Sequence, residues 1–290
     1  MSVIHYNGIK RLHCNHYRSF VGLRWEAFPT YLLVLILGLV IGSFLNVCIY
    51  RIPNGESIVF PPSACGSCKT QLKPYELIPV FSYLVLRGRC RTCGERIAIQ
   101  YPLVELANGI LYVIAYHQFG FHFETLFAFV LISLMLVMAL IDLHTMIIPD
   151  GIVLFGLITG LVTSAYHVFY GNSIYYSAKP YNGFIGMLSG SLILLAIALV
   201  TDLIYGESGG LGFGDVKIFA PIGLFLGWQL TLLALWLAFI IGGVFGVILL
   251  VFFKKQRRMQ IPFGPFIAMG TVISLLFGKS LIYVWLFGSL

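Results

Sequence analysis

Long apolar runs recur eight times along the 290 residues, at about 31–50, 103–118, 125–141, 152–169, 184–203, 217–234, 236–253 and 265–286. A helix needs about 20 apolar residues to cross the hydrocarbon core of a bilayer, and each run comes close to that length. Composition points the same way. Hydrophobic residues make up 59% of the chain, charged residues only 10%, and the mean hydropathy of +0.93 lies far above that of a soluble domain. The expected fold is an all-α polytopic membrane protein with about eight transmembrane helices.

Orientation follows from the basic residues beside the runs. Arg51, Lys69, Lys73, Arg87, Arg89, Arg91 and Arg96 place the segment 51–101 in the cytoplasm. Threading eight spans from there brings 142–150, 204–216 and 254–263 to the same side. Lys254, Lys255, Arg257 and Arg258 lie in the last of these, so two separate basic clusters agree. Residues 1–30, with Lys10, Arg11, Arg18 and Arg24, fall on the outer side in this threading. They read as a basic peripheral extension, without the apolar core and small-residue cleavage site of a secretory signal.

Only five acids follow Glu124: Asp142, Asp150, Asp202, Glu207 and Asp215. A carboxylate is costly near hydrocarbon, so an acid kept at a span end calls for a reason. Asp142 closes the third run and Asp215 opens the sixth, in the motif Gly212-Phe213-Gly214-Asp215, and both fall on the cytoplasmic side. Two carboxylates meeting there would suit acid–base chemistry: one activates water while its protonated partner polarises a peptide carbonyl. Glycines on either side of Phe213 would let a substrate strand approach closely. The plainer alternatives are a helix cap for Asp215, with its helix starting near Val216, and a solvated end charge for Asp142. Asp150, in Ile148-Pro149-Asp150-Gly151, competes for the first role but reads as a helix cap. Asp202 and Glu207 read as solvated charges. The run Gly209-Gly210-Leu211-Gly212-Phe213-Gly214 lacks the strand and helix that a phosphate-binding loop requires.

Cysteines carry the second signal. Cys65 and Cys68 form one CxxC pair and Cys90 and Cys93 another, separated by 21 residues. Two such knuckles converge four thiolates on one tetrahedral metal ion and pin a small loop-rich unit with little core of its own. Zinc is the expected ion, with iron permitted by the same spacing. Disulfide pairing is the competing reading, disfavoured in a reducing cytoplasm. Cys48 reads as a small buried side chain and Cys14 as a free thiol, while His117, His122, His144 and His167 show no ligand spacing.

Several ordered motifs together resemble one known family. They are Gly42-Ser-Phe-Leu-Asn-Val-Cys-Ile-Tyr-Arg51, Pro62-Ser-Ala-Cys65-Gly-Ser-Cys68, Glu76-Leu-Ile-Pro79, Arg87-Gly-Arg-Cys90-Arg-Thr-Cys93-Gly94 and Tyr101-Pro-Leu-Val-Glu105. Further along come Ile141-Asp142, Ile148-Pro-Asp150, Gly212-Phe-Gly-Asp215-Val-Lys217 and Ile261-Pro-Phe-Gly-Pro265. Over residues 42–270 the chain resembles the bacterial type IV prepilin peptidases. The resemblance implies a GxGD-type aspartyl protease of the inner membrane, with Asp142 and Asp215 as the catalytic pair. It implies cleavage of a short basic leader from prepilins and pseudopilins at the cytoplasmic face. It further implies N-methylation of the new amino terminus with S-adenosylmethionine; the structural zinc on Cys65, Cys68, Cys90 and Cys93 is expected from the cysteine spacing itself. The expected partners are these substrates and membrane lipid, with no nucleic acid. The expected division is a basic extension at 1–30, a first transmembrane helix at 31–50, a zinc-binding cytoplasmic unit at 51–101 and a protease domain at 102–290. Two rival classes remain in view at this point: a proton-coupled transporter with a cytosolic zinc module, and a zinc-stabilised assembly protein without catalysis.

Overall fold

A computed structural model describes residues 28–171, 173–205, 212–253 and 261–287. The extension at 1–27, Cys14 within it, Glu207 and the basic cluster at 254–258 lie outside the described residues. The described chain is all helical apart from two isolated bridges: α1 Phe28–Arg51, a 3₁₀ turn Pro74–Leu77, α2 Phe81–Val85, α3 Gln100–Phe119, α4 Phe123–Thr145, α5 Asp150–Tyr170, α6 Asn182–Tyr205, α7 Phe213–Phe253 and α8 Gly264–Phe287. Six of these, α1 and α4 to α8, are long and apolar enough to cross a membrane. The second expected span does form a helix, α3, but is not among the six. Gln100, Glu105, Asn108, His117 and Gln118 lower its apolarity.

The sixth and seventh runs depart from expectation. A turn near residue 235 is predicted between them. Instead, helix α7 runs through that position and breaks at Gly227, whose φ of 74° and ψ of 167° are not helical. The chain folds back there. A Cβ built on Gly190 of α6 would lie 2.8 Å from Phe219 and 2.9 Å from Thr231, on opposite sides of the break. A straight helix would hold those two residues about 18 Å apart. The limbs 213–226 and 228–253 therefore form a hairpin against α6.

Hydrogen bonds close the turn. Trp228 donates its N–H to Asn182 Oδ1 at 3.3 Å, and the Ser164 hydroxyl reaches the Leu224 carbonyl at 3.0 Å. The buried Tyr175 hydroxyl donates to the same carbonyl. These partners satisfy groups that a helix end leaves open, which an apolar surrounding penalises.

Close packing of small residues joins the other pairs. A Cβ on Gly38 of α1 would fall 2.7 Å from the Gly109 Cα of α3, so these backbones touch directly. Asn108 Nδ2 donates across the seam to the Gly38 carbonyl at 2.7 Å. The core centres on α4 and the first limb of α7. Leu131, Ile132, Met135, Met138 and Ile141 are fully buried on α4, as are Ile218, Phe219, Ile222 and Phe225 on α7. These two most enclosed elements carry Asp142 and Asp215.

Candidate active site and metal centre

Asp142 occupies the last turn of α4, which ends at Met146 in the left-handed conformation. It is buried, and its Oδ2 accepts the Gly264 N–H at 2.7 Å. That donor is the first residue of α8, so the positive end of a helix faces the carboxylate. Asp215 sits in the first turn of α7 and is buried as well. Its helix begins at Phe213, three residues before the expected start, so Asp215 lies inside the helix and is not its cap. The glycines supply the extra residues: the Gly212 carbonyl accepts the Asp215 N–H at 3.0 Å, and Gly214 packs on Ile148.

The α4–α5 connection that follows Asp142 packs on the start of α7, with the Ile148 side chain against Gly214, so the turns that carry Asp142 and Asp215 lie at one end of the fold. Both acids stand in end turns of helices, away from the helix middles where a proton-relay transporter would hold them. Asp150 has another employment. It is the first residue of α5, after Pro149 as the cap position, and its Oδ1 pairs with Lys217 Nζ at 2.8 Å. The capping role expected of Asp150 thus gives way to an exposed ion pair across the starts of α5 and α7. Gly264 was missed by sequence reasoning as a site residue. Its signal was the Ile261-Pro262-Phe263-Gly264-Pro265 motif, whose glycine only makes sense once the carboxylate is seen against it.

The cysteine insertion is built as two copies of one turn. Cys65 donates its N–H to the Thr70 carbonyl and accepts that of Lys69; Cys90 and Glu95, Gly94 repeat the pattern. Lys69, at φ 58°, and Gly94, at φ 74°, both take positive φ at matching places, and the bridges Ala64 with Gln71 and Arg89 with Arg96 flank the turns equivalently. All four Sγ atoms lie within 4.8 Å of one another, with Cys65 and Cys93 3.8 Å apart and Cys68 and Cys90 4.0 Å apart. A tetrahedron of sulfurs about 2.3 Å from a zinc ion has edges of about 3.8 Å. The thiols are free, far beyond the bond length of about 2.05 Å that a disulfide needs. Cys68 Sγ also donates to the Thr70 hydroxyl at 3.3 Å, which fixes the direction of that sulfur. The residues therefore fit a four-thiolate metal ion.

Glu76 accepts the Lys73 N–H and so closes the 3₁₀ turn. Glu105 is buried on α3, where its Oε2 accepts the Val80 N–H at 2.7 Å and ties the insertion to the helices.

Two family models divide the chain between them: the bacterial peptidase A24 N-terminal domain over residues 36–119 and the type IV leader peptidase family over residues 129–247. A Bacillus subtilis prepilin leader peptidase/N-methyltransferase is 36% identical over 86% of this chain and 95% of its own length. The chain belongs to the type IV leader peptidase family. A Pseudomonas aeruginosa member named for the same two activities is 33% identical over 88% of this chain and 93% of its own. Another, from Pseudomonas putida, is 32% identical over 87% and 93%. No solved structure matches. Within this family the N-terminal model covers α1 from residue 36 on, the cysteine insertion and α3, and the leader peptidase model covers both acids.

Proposed function

We propose that this protein is a membrane aspartyl endopeptidase that removes the leader from type IV prepilins and pseudopilins. Asp142 and Asp215 are the catalytic pair in this reading. Support comes above all from one observation: two buried carboxylates lie at one end of the fold, Asp142 held by the Gly264 N–H and Asp215 on a turn packed against Ile148. Family membership supplies the substrate class. In this reading the chain crosses the inner membrane eight times, with α3 and both limbs of α7 counted, and the acids open to the cytoplasm. Residues 1–30 form an extension, 51–101 the zinc-binding unit and 102–290 the protease domain.

The substrate's own apolar helix lies in the bilayer beside the spans, which leaves its leader in the cytoplasm and its scissile peptide at the interface. One carboxylate takes a proton from water as the oxygen adds to the carbonyl carbon, and the other donates a proton to the carbonyl oxygen. The tetrahedral intermediate then collapses: the C–N bond breaks and the proton passes to the leaving amine. No covalent enzyme intermediate forms. The Gly264 N–H on Asp142 fixes that carboxylate's direction, and the Ile148 side chain packed on Gly214 leaves the Asp215 turn little room to drift.

Cys65, Cys68, Cys90 and Cys93 hold a structural zinc ion, which supplies the folding energy that a coreless insertion lacks. N-methylation of the new amino terminus follows, with S-adenosylmethionine as methyl donor; the support is that the Bacillus subtilis and Pseudomonas aeruginosa relatives are named as N-methyltransferases as well as peptidases. The test is to mix the purified protein in detergent with a prepilin and follow its mass. Loss of the leader mass is expected without S-adenosylmethionine and gain of one methyl group with it. An unchanged prepilin mass overturns the peptidase reading, and leader loss without methyl gain overturns the second activity alone.

A further inference from the structure

Helix α2, between the two cysteine knuckles, carries an apolar face that no described part of the chain covers. Phe81, Leu84 and Val85 are 61%, 66% and 63% exposed. Their i, i+3, i+4 spacing puts all three on one side of the helix. The opposite side is occupied: Tyr83 packs against Gly88, where an added Cβ would lie 2.8 Å from the Tyr83 hydroxyl. A loop surrounded by water has no reason to present such a face.

The depth of the helix explains it. The Val80 N–H that precedes α2 is bonded to Glu105, and the Glu105 Cα abuts Gly42 of α1 so closely that a Cβ there would lie 2.7 Å away. Gly42 stands nine residues before Arg51, the basic end of α1, which is about 13 Å along the helix axis toward the apolar interior. Val80 is thereby drawn below the level of Arg51, carrying the start of α2 with it. Directly after α2 the chain turns cationic, with Arg87, Arg89, Arg91 and Arg96 all exposed. An apolar face followed by a basic rim matches the order of acyl chains and anionic phosphates at a bilayer surface.

We propose that α2 is a re-entrant interfacial helix. Phe81, Leu84 and Val85 lie among the acyl chains of the leaflet, and Arg87 and Arg89 bind the headgroups of anionic phospholipid. The metal-binding insertion is then docked on the membrane surface instead of hanging free from α1 and α3. This inference depends on the chain spanning a membrane and is independent of its being a peptidase.

The experiment places the photo-crosslinker p-benzoylphenylalanine at position 81, 84 or 85 of the full-length protein, with position 95 on the metal knuckle as control. The protein is reconstituted in nanodiscs of phosphatidylcholine with or without phosphatidylglycerol, irradiated, and its intact mass measured after its metal content. Phospholipid adducts are expected at all three face positions that retain metal and none at position 95. Phosphatidylglycerol should raise the yield at position 84 several-fold, and Arg87→Gln with Arg89→Gln should remove that rise. Equal labelling at 84 and 95, no lipid adduct in metal-replete protein, or crosslinking to an added prepilin in place of lipid would each overturn the proposal.

Discussion

Asp142 and Gly264 meet with no room for a side chain between them. The carboxylate accepts the glycine N–H at 2.7 Å, and a Cβ built on the glycine would stand 2.6 Å from the same oxygen. In Gly264→Ala the carboxylate must move or lose its donor. If Asp142 is catalytic, a misplacement of about 1 Å costs on the order of 10²-fold in rate. Initial rates of leader removal should fall by that order while metal content stays unchanged. A variant with full activity would show that the contact does not set the geometry of the reacting group.

Gly227 holds the α7 hairpin in a conformation that is essentially reserved for glycine. An alanine there is strained by about 1 to 3 kcal/mol, and its Cβ would sit 2.6 Å from the Asn182 side chain. Gly227→Ala should lower the unfolding midpoint in detergent by several degrees. Asn182→Ala should lower it as well, because it removes the bonds to the Trp228 N–H and the Ser177 carbonyl, though without straining the backbone.

Removing the metal should loosen the insertion and spare the bundle. Its residues between α1 and α3 have almost no buried apolar side chains beyond Cys90, so an ion held by the four cysteines would do the work of a core. One zinc per chain is expected by elemental analysis. A strong chelator, or Cys68→Ser, should expose 52–99 to limited proteolysis while α4 to α8 remain protected. Protection that survives complete metal loss would contradict a structural role.

The Asp150 and Lys217 pair joins two helix starts but faces solvent, with side-chain exposures of 80% and 39%. Pairs of that kind contribute about 0 to 1 kcal/mol. A double-mutant cycle of Asp150→Ala and Lys217→Ala should give a coupling energy in that range, reduced further by salt. A coupling of several kcal/mol would mean that the pair is shielded from solvent in the membrane-embedded protein.

Much of this was legible beforehand, and the reasons for the rest are physical. Apolar length locates helices well, because a bilayer imposes it; the run at 31–50 became Phe28–Arg51 and that at 265–286 became Gly264–Phe287. Spacing alone brought four cysteines together, since two CxxC turns can only point their sulfurs inward. Hydropathy failed between 217 and 253, where no polar residue interrupts the run strongly enough to mark a turn. The actual signal was a glycine at 227 and an asparagine at 182 that meets it from another helix. Contacts between distant segments were likewise hidden: Glu105 with Val80, Lys217 with Asp150 and Gly264 with Asp142 each join residues whose pairing depends on how the bundle assembles.

Leader removal by this protein requires Asp142 and Asp215 to act as a pair on a peptide bond, if the proposed function is right. The direct measurement is leader removal from a purified prepilin, followed by mass spectrometry, for Asp142→Asn and Asp215→Asn beside the parent protein, each checked for metal content and thermal unfolding. Both variants should fold, keep their metal and leave the prepilin uncut. Leader removal at the parent rate by either folded variant would contradict the assignment.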